Sequence, residues 1–298
     1  MATNDLEIDT RNKNIPTVVN SSLPRKRKRA NILLHVLLTL GAITMVFPFL
    51  WTVLSSLKDI SQIFLVPPKW IPNPLAWNNY PDSLQAMPFG KAYFNSFYIT
   101  FIVVAATLIT ASMAAYAFAK IRFKGANIIF ILFLSTMMIP KQVTMIPLYL
   151  IMDNIGWIDN HLSIIVPGAL FNAFAVFLLR QFVMGIPREL EEAAIMDGAG
   201  YLRIYWNVIL PLIRPALAAI GIFTFMGAWN SFIDPLIYLN TPELFTVPLL
   251  LNTFKGLYTA EWGLMMAGTT ISVIPVLIIY IIAQKQIIEG VTLTGIKG

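Results

Sequence analysis

Four of the chain's 15 acidic residues, Glu189, Glu191, Glu192 and Asp197, fall within one stretch running from Gly185 to Arg203. Their setting is that of a short helix. Pro187 suits a first helical position, the three glutamates complement the positive end of a helix, and Gly198 is placed to end it through a left-handed cap. The spacing predicts a helix of about three turns. Ala193 and Ala194 form a small-residue patch on it that would let a partner's backbone approach closely, the alternative being a solvated acidic connector with no partner.

Other reactive chemistry is sparse. No Gly-x-x-x-x-Gly-Lys-[Ser/Thr] occurs, so no phosphate-cradling loop is present. No His-Glu-x-x-His occurs either, and the two histidines, His35 and His161, lie on separate segments, which excludes a zinc peptidase and weakens any histidine-based triad. His161 follows Asp159 and reads as a solvated loop residue. With no cysteine there is no disulfide, thiolate metal site or thiol nucleophile. No catalytic residue, metal site or bound cofactor is expected on this chain. Side chains able to bond a neutral hydroxylated solute are Asn95, Ser96, Tyr98, Asn172, Asn230 and Ser231; each is a candidate for lining a polar path, and each could equally bond across helices.

The elements that position these groups are apolar helices. The chain has 298 residues, of which 57% are hydrophobic and 12% charged, with a mean hydropathy of +0.71. A soluble domain carries about 25% charged residues. A soluble enzyme, a disordered chain and a disulfide scaffold are therefore excluded in favour of an integral membrane protein. Apolar runs over about 31–57, 92–119, 126–151, 162–183, 212–233 and 263–284 predict six spans and an all-α membrane fold. Residues 1–30 form a polar tail ending in Arg25-Lys26-Arg27-Lys28-Arg29, residues 31–284 the membrane domain with its longest loop at about 184–208, and 285–298 a second tail. Lys120, Arg122, Lys124, Arg180, Arg188, Arg203, Lys285 and Lys297 fall on the same side as the basic run, so the positive-inside rule places both termini in the cytoplasm. The basic run is thus a cytoplasmic anchor, and no nucleic-acid partner is expected. Pro48, Pro140, Pro147, Pro167 and Pro275 interrupt spans and free backbone groups that neighbours or a water-filled cavity must satisfy.

The long loop also carries a resemblance. Glu192-Ala193-Ala194, three residues, Gly198, nine residues, then Val208-Ile209-Leu210-Pro211 is similar to the EAA motif of ATP-binding-cassette importer permeases, with Val208 the one departure. The resemblance extends from about residue 31 to the C-terminal Gly290–Gly298 and is to the maltose-type permeases for oligosaccharides. It implies a type I importer permease fold in a bacterial cytoplasmic membrane. Its partners would be a second homologous permease, with this chain forming half of the translocation pathway, two copies of a cytosolic ATPase that holds ATP and Mg, an extracytoplasmic solute-binding protein, a sugar and membrane lipid. By the same resemblance Glu191, Glu192, Ala193, Ala194, Asp197, Gly198, Leu210 and Pro211 would couple to the ATPase. Thr294, Gly295, Ile296, Lys297 and Gly298 would touch the ATPase dimer, and Lys255, Gly256, Leu257 and Tyr258 would reach the binding protein. The alternative class is an ion-coupled secondary carrier, which needs an intramembrane ion site and usually internal repeats; neither is visible.

Overall fold

The computed structural model describes residues 25–170, 172–255 and 261–295. The chain divides into two units, Met1–Leu50 and Trp51–Gly298. In the first, helix α1 (Arg25–Ser56) begins inside the basic run and passes through Pro48 without a break. From Ile32 to Leu50 its large apolar side chains are exposed in this chain.

The second unit is built around α2 (Phe89–Lys120). Phe89, Ala92, Ser96, Ile99, Val103, Thr107, Ala111, Ala115 and their neighbours are buried at three- and four-residue intervals along its whole length. Between apolar helices in lipid the driving force is close packing and hydrogen bonding, and small residues let backbones approach. The alanine-rich face meets α5 (Leu162–Leu170), α6 (Ala173–Met184) and α9 (Arg214–Trp229). Thr107 and Thr110 donate to the carbonyls of Gly168 and Ala169 across the contact with α5, bonds worth on the order of 0.6 kcal/mol each. Helix α10 (Trp262–Gly295) packs on α9. There Trp229 is buried, stacks on Phe225 and donates to the Ser272 carbonyl at 3.2 Å. Gly268 is a place where only a hydrogen fits, since a Cβ there would lie 2.7 Å from the Leu251 side chain.

Among the described residues four helices are long and apolar enough to cross a membrane, or up to six if each of two bent pairs is one span. The first bent pair lies within the expected run 126–151 and breaks at Pro140, one of the prolines expected to interrupt a span. Helix α3 (Ala126–Ser135) passes through a short 3-10 turn and then bends by 102° into α4 (Lys141–Asn154). Ile139, ahead of Pro140, is extended (φ −84°, ψ 117°), the conformation that a following proline ring enforces. Pro147, Pro167 and Pro275 lie inside helices that continue. The second bend, 79°, separates Tyr201–Leu212 from α9 at Ile213. Two expectations change. The stretch after Asp234 is no simple loop: it folds as Ile233–Tyr238 and Val247–Thr253, with Val247, Leu250 and Phe254 buried. The helix of the last span continues to Gly295, through much of the segment read as a tail. Among the described residues no strand forms.

Candidate functional site

The acidic stretch forms α7 (Glu189–Met196), eight residues and so about two turns rather than three. Pro187 stays ahead of it. The Arg188 carbonyl accepts from the Glu191 and Glu192 amides, and the helix starts one residue later. Its far end is closed as the sequence spacing requires. Gly198 has φ +77°, its amide donates to the Ile195 carbonyl, and the Ala199 amide donates to the Ala194 carbonyl, each at 2.9 Å. That pair of bonds is a Schellman closure, which needs a left-handed residue at this point.

Helix α7 is fastened to the end of α2. The Lys120 ammonium lies 2.7 Å from the Glu191 carboxylate and donates at 2.7 Å to the Ile186 carbonyl. Both side chains are largely removed from solvent, at 4% and 14% exposure. Glu191, one of the residues expected to couple to the ATPase, has its carboxylate anchored inside the chain, and the cation that holds it, 71 positions earlier, carried no sequence signal. Ala194 likewise packs inward on the apolar cluster formed by Leu179, Val183, Ile204 and Ile209, together with Ala199 and Leu210. Glu192, Ala193, Asp197 and Gly198 are exposed, and beside them Ile195, Met196, Tyr201 and Leu202 expose their apolar side chains.

Helix α8 (Tyr201–Leu212) follows Gly200 and contains a π-turn over Tyr205–Ile209. Tyr205 anchors it: its hydroxyl shares a buried 2.7 Å hydrogen bond with Ser112 of α2, and its ring lies 5.9 Å from that of Tyr116. Pro211 follows in the last turn before the bend.

The six polar candidates separate into two groups and one residue apart, Asn230. Asn172 caps α6, accepting from the Ala175 amide at 2.9 Å. Together with Ser231 and Thr224 it lines a cavity of about 280 Å³ among α2, α5, α6 and α9, where Lys141 and Asp234 form an ion pair at 2.5 Å. Asn95, Ser96 and Tyr98 do not line it. The Asn95 amide donates to the carbonyls of Glu243 and Phe245, and the Ser96 hydroxyl accepts from the Val247 amide. Tyr98 bonds to Nδ1 of His161, while Nε2 of the same ring bonds to the Leu244 carbonyl. His161 is therefore a buried, doubly bonded residue and not a solvated one. Asn230 is exposed and donates to the Met226 carbonyl of its own helix. Of the other candidates, Lys255 is exposed. Thr294 and Gly295 end α10. Gly256, Leu257, Tyr258, Ile296, Lys297 and Gly298 lie outside the described residues.

Asp159 completes the clasp on the 238–247 segment. Its carboxylate accepts from the Thr241 hydroxyl and from the Asn240 and Thr241 amides, and these bonds lower its pKa below the usual carboxylate value. A carboxylate with a folded-state pKa below its unfolded value of about 3.9 stabilises above that pH, and the contribution is lost as pH falls through the folded pKa. Asp159→Asn is accordingly expected to speed amide exchange at Asn240 and Thr241 at neutral pH. Unchanged exchange in the variant would show that the clasp is held by other bonds.

A helical bundle with bent spans, a polar cavity and an acidic helix fastened to its central helix is the build of a membrane transport subunit. Residues 107–292 match the family described as binding-protein-dependent transport system inner membrane component, and the chain belongs to that family. It is 33% identical over 280 residues to the arabinooligosaccharides transport system permease protein AraQ of Halalkalibacterium halodurans, covering 92% of this chain and 100% of that one. It is 30% identical to the sn-glycerol-3-phosphate transport system permease protein UgpE of Yersinia enterocolitica, over 89% of this chain and 96% of the relative. A chain from the crystal structure of a bacterial ABC transporter involved in the import of the acidic polysaccharide alginate superposes with a TM-score of 0.78 at 28% identity. That match covers 88% of this chain and 97% of the other.

Proposed function

We propose that this chain is one permease subunit of an ATP-driven, binding-protein-dependent sugar importer in a bacterial cytoplasmic membrane. In this reading it crosses six times, with each bent pair a single span and both termini cytoplasmic. It pairs with a second permease, two cytosolic ATPase copies hold ATP and Mg, and an external binding protein delivers an oligosaccharide. The family and the named relatives, which include permeases for arabinooligosaccharides, support the sugar class. The cavity bearing Asn172, Thr224 and Ser231 supplies neutral donors and acceptors of the kind that sugar hydroxyls require. Residues 255–258 reach the binding protein, and residues 294–298 contact the ATPase.

One observation carries the coupling role. Helix α7 presents Glu192, Ile195 and Met196 outward while Lys120 and Glu191 fasten its inner side to α2, so a push on the exposed face is passed to the helix that contacts α5, α6 and α9. ATP binding closes the ATPase dimer, the exposed face follows, and the bundle shifts between inward- and outward-facing populations.

Glu192→Ala tests this. Because Glu192 is exposed, stability should change by no more than about 0.5 kcal/mol. ATPase retention on the purified chain should fall roughly tenfold, the size of a contact at an interface hot spot. Retention and sugar uptake equal to those of the unaltered chain would remove α7 from the ATPase interface.

A further inference from the structure

A second polar pocket lies at the basic end of the bundle, between the end of α2 and Arg188 at the start of α7. It has a volume of about 490 Å³ and is lined by residues 118–123 at the end of α2, by Gly125–Ile128 at the start of α3, and by Arg180 and Arg188. Four cations therefore border one cavity: Lys120, Arg122, Arg180 and Arg188. Lys120 is neutralised by Glu191. The other three have no carboxylate within ion-pair distance among the described residues. Arg180 is held in place, its guanidinium 4.3 Å over the Phe130 ring and its Nε donating to the Phe118 carbonyl, with no acceptor for its terminal nitrogens. Arg122 and Arg188 are exposed, with no ion-pair partner among the described residues. The same cavity receives the first turn of α3, whose start has no side-chain cap.

Three uncompensated guanidiniums and an uncapped helix start select a compact anion with several acceptor oxygens, and a guanidinium fork matches a phosphate better than an ammonium does. The surroundings narrow the ligand further. Ile128, Ile131 and Leu132 of α3 share one face at i, i+3, i+4 and are each more than 60% exposed. A ligand seated in the pocket thus has charged side chains around its head and an apolar strip alongside. We propose that this pocket binds the phosphodiester headgroup of an anionic phospholipid of the cytoplasmic leaflet, with its acyl chains lying along Ile128, Ile131 and Leu132. Basic pockets between spans on the cytoplasmic side are suited to such headgroups, each cation adding to the attraction. The pocket shares no lining residue with the sugar cavity, and its assignment to the cytoplasmic leaflet rests on the orientation given in the proposed function.

The full chain, purified in mild detergent, is titrated with phosphatidylglycerol and with phosphatidylcholine, and bound lipid is read by native mass spectrometry. The unaltered chain should prefer phosphatidylglycerol by roughly tenfold. Arg122→Gln with Arg188→Gln should bring that ratio close to one, Arg122→Lys with Arg188→Lys should leave part of it, and Arg214→Gln, an exposed arginine outside the pocket, should leave it unchanged. Neither Arg122 nor Arg188 has an ion-pair partner among the described residues to lose, and an unchanged elution profile and Tm of the glutamine variant confirm that it is folded. Equal binding of the two lipids by the unaltered chain overturns the proposal, as does an undiminished preference in the folded glutamine variant. Displacement of bound phosphatidylglycerol by millimolar inorganic phosphate assigns the pocket to a free anion and also overturns it.

Discussion

Lys120→Met is expected to destabilise the chain by about 3 kcal/mol, because it leaves the Glu191 carboxylate at the bundle edge without its cation. The figure sits at the low end for a broken buried pair because Glu191 keeps some contact with solvent. The Ile186 carbonyl loses its donor as well. Thermal unfolding in detergent should show a clear fall in Tm, while Lys120→Met combined with Glu191→Met should recover most of it, since two apolar side chains need no partner. The single and double variants separate two roles that Glu191 would otherwise confound. If the double variant is stable but does not transport, the pair is needed to transmit motion; if it is stable and transports, the pair only holds α7 in place. A single variant with the Tm of the unaltered chain would show that the ion pair contributes nothing to the fold.

The second large effect is expected at Gly198. A Cβ there would meet nothing within 4 Å, so space is not the constraint. The constraint is the backbone: at φ +77° an L side chain is crowded by the adjacent carbonyl at a cost of roughly 1–2 kcal/mol, more for a β-branched residue. Gly198→Val should open the bonds from Gly198 to Ile195 and from Ala199 to Ala194, reorient α8 relative to α7, and abolish uptake in membranes where the chain is still present. Gly198→Asn, which tolerates left-handed geometry, should retain most of it. Equal uptake by the asparagine and valine variants would show that the left-handed turn is not required. The comparison is informative because neither substitution changes charge or meets a neighbour.

Features that depend on local chemistry were legible in the sequence. Gly198 ends a helix because glycine reaches that φ without a side-chain clash, and the three glutamates do lie in its first turn. Features that depend on what lies across the bundle were not. Pro140 and Pro147 look alike in sequence, yet one stands at a 102° bend and the other inside a continuous helix. Asn95, Ser96 and Tyr98 have the same donors and acceptors as Asn172 and Ser231. The first three are taken up by the carbonyls, amide and imidazole of the segments packed on α2, and the second pair is left beside an open cavity. Amide and hydroxyl chemistry serves a cross-helix tie and a sugar contact equally well. Glu191 shows the same limit, since its partner lies on a helix far removed in the chain.

The π-turn at Tyr205–Ile209 gives the nine-residue interval between Gly198 and Val208 a geometric meaning. A π-turn holds one residue more than an α-turn. A deletion within the π-turn would close it to an α-turn, whereas removing a residue from the regular turn Tyr201–Ile204 would rotate all that follows by about 100° about the helix axis. Ile209 and Ile213 would leave the apolar cluster they now fill, and the 79° elbow at Ile213 would swing to a different azimuth. In the proposed function the interval therefore acts as an angular setting between the surface that would receive force and the span that would move. A length change of one residue in its regular turn would do more damage than most substitutions within it.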